Sequence, residues 1–210
     1  MPKRKRRHNG KRRGKNSVFL NIPYDEQFIR LFLAYVTAIR AFGLLPHATL
    51  EIPGGTRRLD RIAALIRSCK YSIHDLSRVE LDPIAPPTPR FNMPFELGLA
   101  VAFHWRKDTS HTWFVLETQK WRIQKSLSDL NGTDVYIHEG TPEGIFRELA
   151  KAFVRATRQP TVKQMLTMYE KVTNALPKLL ADAGTNDPFQ ARVFKDISVY
   201  AGALADEFST

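Results

Sequence analysis

Cysteine is almost missing from this chain: Cys69 is the single one among 210 residues. No disulfide can close within it, and a thiolate metal cage is excluded. Long apolar runs are missing as well. No stretch approaches the roughly 18 residues that a membrane-spanning helix needs, and the cationic N-terminus leads into the polar step Asn16-Ser17 rather than the apolar core of a secretory signal. Neither GxGxxG after the first strand nor GxxxxGK[ST] is present, which removes the glycine-rich phosphate cradles of dehydrogenases and nucleoside triphosphatases. His74, His104 and His138 lack metal-ligand spacing. These absences lead us to expect a soluble, cytoplasmic protein with no membrane segment, no metal and no cofactor.

Acidic side chains are missing from the first sixteen residues, which hold nine basic ones: Lys3, Arg4, Lys5, Arg6, Arg7, Lys11, Arg12, Arg13 and Lys15. Taking those nine charges from the formal net charge of +11 leaves +2 for everything else. The high isoelectric point therefore describes a tail, not the folded part. A segment so charged and so poor in apolar residues cannot offset its ordering entropy. Residues 1–16 are expected to be a disordered basic tail that binds polyanions or nucleic acid weakly.

From Ser17 onward the chain alternates short β-rich runs with helical periodicity, the pattern of βαβ units around a parallel sheet. Strands are expected at Ser17–Ile22, Leu44–Ile52, Tyr71–Ile73, Thr112–Leu116 and Thr133–Ile137. Helices are expected at Asp25–Phe42, from the N-cap Thr56 to Cys69 (with Cys69 on the inward stripe), from Pro94 to Trp105, and at Pro142–Thr157. The proline-rich stretch Val79–Arg90 reads as a loop, and Gln124–Gly132 as a turn near the pocket rim. The predicted fold is a flavodoxin-like, doubly wound, mostly parallel five-stranded sheet of order 2-1-3-4-5. The α/β domain spans residues 17–157, and 158–210 form a C-terminal extension of two helices, Thr161–Ala183 and Pro188–Phe208.

In such a sheet the ligand site lies at the carboxyl ends of strands one and three, where the strand order reverses. Strand one ends in Asn21-Ile22-Pro23-Tyr24-Asp25, strand three in His74-Asp75-Leu76-Ser77-Arg78, and the next helix opens with Arg90-Phe91-Asn92-Met93-Pro94-Phe95-Glu96. With Pro94 at the first helical position, Glu96 falls in the first turn. Unpaired backbone N–H groups and the helix dipole should then keep it ionised. An ionised carboxylate beside a sugar stabilises an oxocarbenium-like transition state or attacks the anomeric carbon. Glu96 and Asp75 are the candidate catalytic residues. Asn21, Tyr24, Ser77, Arg78, Arg90 and Asn92 are candidates for substrate binding, the two arginines as a phosphate clamp.

Tyr71-Ser72-Ile73-His74-Asp75-Leu76-Ser77-Arg78 and Pro89-Arg90-Phe91-Asn92-Met93-Pro94-Phe95-Glu96-Leu97-Gly98 resemble the superfamily that contains TIR domains and nucleoside 2-deoxyribosyltransferases. The likeness covers roughly Ser17 to Thr157, and Glu96-Leu97-Gly98 is its most specific part. It implies that Glu96 is the glutamate acting on the sugar and that Asp75 is the strand-end acid. Arg90-Phe91-Asn92-Met93-Pro94 replaces the Asp-x-Gly-Thr type segment of the transferases, so base exchange is disfavoured. The TIR side implies cleavage of the nicotinamide bond of NAD, a substrate and not a cofactor, and a role in bacterial immunity. The expected function is an N-glycosidase on NAD or a related nucleotide. The alternative is a catalytically silent module that senses a nucleotide or self-assembles as a homo-oligomer.

Overall fold

The computed structural model describes residues 14–51, 57–82, 84–106 and 110–208. Five strands form one all-parallel sheet: β1 (Gly14–Asn21), β2 (Leu45–Ala48), β3 (Cys69–Asp75), β4 (Thr112–Glu117) and β5 (Val135–Ile137), in the order β2-β1-β3-β4-β5. This is the flavodoxin-like order that the alternation of patterns predicts. Val18, Phe19 and Leu20 of β1 are all fully buried, as a central parallel strand covered on both faces must be.

The helices α1 (Ile29–Ala41) and α5 (Pro142–Ala152) cover one face, where Val18, Leu20, Ile73 and Leu116 point. The helices α2 (Arg58–Ser68) and α3 (Asn92–His104) cover the other, meeting Phe19, Cys69 and Val115. A short α4 (Arg122–Ser126) and a 3-10 turn at Ser128–Leu130 fill the expected turn region before β5.

Several boundaries differ from those expected. β1 starts at Gly14, which pairs with Cys69 across a register shift, so 14–16 belong to the sheet and not to the tail. Residues 1–13 lie outside the described residues, as do Pro53, Gly54, Gly55 and the expected N-cap Thr56. Cys69 opens β3 instead of closing a helix, and it is buried. β2 ends at Ala48 and gives way to a 3-10 turn over Thr49–Glu51. The Val79–Arg90 loop carries a small antiparallel ladder of Leu81–Asp82 with Thr88–Pro89. Gly43 takes φ +73° just past α1, the left-handed conformation for which a helix end selects glycine.

The C-terminal helices α6 (Val162–Ala183) and α7 (Ala191–Glu207) pack on α1 and share its core. Thr161 caps α6 in a capping box with Gln164, a device that satisfies two orphan N–H donors at once. Leu33, Ala34, Val36 and Ala38 are buried as well as the sheet-facing stripe of α1, because α1 lies between the sheet and this outer layer. Phe32 meets Phe189 and Phe194 at ring-centre distances of 5.2 and 6.1 Å. Phe32 and Phe194, both fully buried, each contribute about 1.5 to 3 kcal/mol of burial. Among the described residues no helix is long and apolar enough to cross a membrane.

Candidate functional site

A cavity of about 340 Å³ opens at the carboxyl ends of β1 and β3, lined by Asn21, Tyr24, Thr49, Arg58, Arg78, Arg90, Asn92, Met93 and Glu96 with the Ile22-Pro23 backbone step. The pocket therefore lies where the reversal of strand order puts it, and it brings together Asn21, Tyr24, Arg78, Arg90, Asn92 and Glu96. Thr49 and Arg58 join them unforeseen. Both come after β2, whose carboxyl end neighbours that of β1, so the same rule extended by one strand would have found them.

Glu96 is not in the first turn. α3 begins at Asn92, Pro94 is its third residue and Glu96 its fifth, with no acid in the first turn. The free N–H groups expected to hold its charge belong to the residues before it. Glu96 is only 6% exposed, and burial pushes its pKa up to about 7, with Arg58 pulling the other way. The expectation of a permanently ionised carboxylate is thus overturned: near neutrality Glu96 divides between its acid and its anion. Desolvation outweighs the positive field of a single arginine.

Asp75 and Ser77 do not line the cavity. Alternation along β3 turns His74 toward α3 and Asp75 toward α1, where Asp75 is fully buried. Its Oδ2 accepts from the Tyr35 hydroxyl at 2.7 Å and its Oδ1 from the Ser77 N–H at 2.9 Å. His138 Nε2 lies 3.2 Å from Oδ2. Burial works to raise the pKa of Asp75, yet the interaction with His138, together with the Ser77 and Tyr35 bonds, holds it below the usual carboxylate range. Asp75 is a structural anion tying β3 to α1 and to the end of β5. Ser77 helps from the backbone, its carbonyl accepting from Arg122, which also pairs with the buried Glu117.

On the α3 side a buried hydrogen-bond chain sets the pocket floor. Asn21 Nδ2 donates to the Met93 carbonyl and approaches His74 Nδ1, both at 2.9 Å. His74 Nε2 meets Ser72 Oγ, and Ser72 Oγ meets His111 Nε2, each at 2.9 Å. Burial, reinforced by the charge of His111, lowers the His74 pKa to about 3, so His74 is neutral. A depressed histidine contributes stability that is complete above its unfolded value of about 6.5 and fades as pH falls toward 3. Against His74→Gln, wild-type protein should therefore lose about 1.4 kcal/mol per pH unit between about 6.5 and 4. Urea midpoints of the two proteins measure this, and parallel profiles would show that His74 is not buried neutral.

Arg78 and Arg90 converge on Asp25, at 3.2 and 3.6 Å. Arg78 also reaches Glu80 at 3.5 Å and Gln27 at 2.9 Å. Asp25 and Glu80 thus offset the charges of Arg78 and Arg90, and Arg58 adds a third guanidinium to the cavity lining. Tyr24 donates to the Leu20 carbonyl at 3.2 Å, and burial drives its pKa up so that it stays neutral. Its ring packs on Phe189 at 5.8 Å, so the turn between α6 and α7 buttresses the pocket wall. Among the cavity-lining residues Glu96 is the one carboxylate.

Fold and site together define a doubly wound α/β protein with an arginine-lined polar pocket at its switch point. Compared with protein-family models, curated proteins and solved structures, the chain matches none.

Proposed function

We propose that this pocket is an N-glycosidase site that cleaves the base–ribose bond of NAD or a related nucleotide. One observation carries the reading: a buried carboxylate with its pKa at about 7, Glu96, shares a 340 Å³ cavity with Arg58, Arg78 and Arg90. The arginines suit a nucleotide phosphate, and the volume suits one nucleotide unit. Ionised Glu96 faces the ribose and stabilises positive charge developing at C1′, or attacks that carbon. Asn21 and Asn92 offer amides for ribose hydroxyls.

The lone carboxylate also selects the leaving group. A neutral nucleoside needs a base to be protonated while the sugar is stabilised, two tasks for two acid–base groups. Asp75 is sealed behind β3 and cannot take the second. Nicotinamide leaves NAD as a neutral molecule: the C1′–N bond breaks, its electron pair stays on nitrogen, and water supplies the new C1′–O bond and releases a proton. A substrate with a cationic base therefore fits a cavity whose lining holds one carboxylate, with Asp25 beside it engaged by Arg78 and Arg90. The same reading puts the protein in the cytoplasm with its substrate. A pKa raised into the neutral range favours an enzyme over a silent nucleotide-sensing module.

Incubation with NAD should release nicotinamide, detectable by liquid chromatography. If no base appears from NAD or other nucleotides at high protein concentration, with and without crowding agent to promote assembly, the glycosidase reading fails and a binding module replaces it.

A further inference from the structure

A second cavity of about 300 Å³ lies at the opposite, amino-terminal end of the sheet, lined by Asn16, Arg40, Phe42, Gly43, Leu44, Thr157, Arg158 and Asp206. We infer that this cleft binds a phosphate group through Arg40 and Arg158, at a site separate from the switch-point pocket. Arg40 lies in the last turn of α1 and Arg158 comes after α5, so two remote segments deliver guanidinium groups to one hollow. Arg158 pairs with Asp206 at 2.8 Å. Arg40 has no ion pair among the described residues: its Nη1 donates to the Leu44 carbonyl at 3.3 Å, and its shielded Nε has no hydrogen-bond partner.

The fold keeps room for this arrangement. Gly202 of α7 lies under Arg40, and a Cβ there would collide with Nη2 and Cζ. A mid-helix glycine costs about 1 kcal/mol relative to alanine, and here it admits a guanidinium. Burial, with Arg158 adding to it and Asp206 opposing, lowers the Arg40 pKa. Two cations with one half-committed carboxylate leave the hollow net positive. A phosphate in the hollow would relieve the repulsion between the two cations, and guanidinium forks match phosphate geometry.

Asn16 is two residues past Gly14, where β1 begins, and the preceding segment carries Lys3-Arg4-Lys5-Arg6-Arg7 and Lys11-Arg12-Arg13. The phosphate can thus belong to a nucleic acid strand that also meets the basic segment, or to a free phosphomonoester.

Thermal shift of the full chain with inorganic phosphate, against chloride at equal ionic strength, tests the cleft. Phosphate should raise Tm. Arg40→Met and Arg158→Met should each weaken the response about tenfold or more, the loss of one charge-assisted hydrogen bond. Lys178→Gln, on an exposed face of α6 outside both cavities, should retain it. Asp206→Asn removes the competing carboxylate at an exposed position and should tighten binding, which keeps the test decisive if Arg40→Met fails to fold. A response unchanged in Arg158→Met and Asp206→Asn, or one lost in Lys178→Gln, overturns the assignment. Fluorescence anisotropy with a single-stranded oligonucleotide identifies the source. A strand bound here loses affinity in Arg158→Met, with a salt slope shallower by about one. If the oligonucleotide does not respond while phosphate does, the ligand is a free phosphomonoester.

Discussion

Glu96→Gln is expected to slow nicotinamide release from NAD by about 10²- to 10³-fold or more, the cost of removing a main electrostatic stabiliser of the transition state. The amide keeps the size of the side chain but carries no charge at any pH. The wild-type rate should rise with pH through about 7, as Glu96 ionises, and level off above it. Stability should move the other way. A carboxyl whose folded pKa is raised contributes stability that is complete below its unfolded value near 4.5 and lost as pH rises through about 7. Glu96→Gln should therefore match wild type near pH 4.5 and exceed it at pH 8 by up to about 3 kcal/mol. Chromatographic assay and thermal unfolding of one variant read both effects. A variant that turns over normally and is less stable at pH 8 would mean that Glu96 serves only its helix.

Asp75→Ala should be among the most destabilising single substitutions in the chain, costing about 3 to 5 kcal/mol, because it leaves His138 and the Tyr35 hydroxyl buried without their anion. Denaturant unfolding at pH 7 measures the loss. A carboxylate with a lowered folded pKa contributes stability present above its unfolded value and lost as pH falls below it. The gap between wild type and Asp75→Ala should accordingly close in acid, below about pH 4. Tyr35→Phe removes one donor and should cost only about 1 kcal/mol. If Asp75→Ala abolished turnover while leaving stability intact, Asp75 would be catalytic and its sealed position in the resting fold misleading.

Asp75 and Glu96 also mark the limit of what the sequence reveals. That both stand at the carboxyl end of the sheet was legible, because the strand order follows from alternating patterns and the handedness of βαβ crossovers. Which face Asp75 occupies was not, since a one-residue shift in where β3 begins reverses every side chain along it. The expected strand Tyr71–Ile73 left His74 and Asp75 as loop, whereas the hydrogen-bonded ladder runs through Asp75. Glu96 was misplaced in its helix for a similar reason. Pro94 is tolerated anywhere in a first turn, so it did not settle that α3 opens at Asn92. The resulting shift turned a charge-stabilised carboxylate into a desolvated one.

The role of the C-terminal helices had a signal in the sequence that a single-stripe reading passes over. Ile29 to Ala41 contains Leu33, Ala34 and Ala38 besides the residues facing the sheet, and a helix whose apolar residues extend beyond one stripe must be covered by more than the sheet. Local periodicity and chain chirality were enough to dictate the alternation of strands and helices, their parallel order and the end of the sheet at which polar residues gather. Long-range packing was needed to establish that α6 and α7 seal α1, that Asp75 turns inward to His138, and that Arg58 and Thr49 join Glu96. Those outcomes rest on register, on burial and on contacts between residues far apart in the chain, and no local pattern encodes the electrostatic environment that such contacts create.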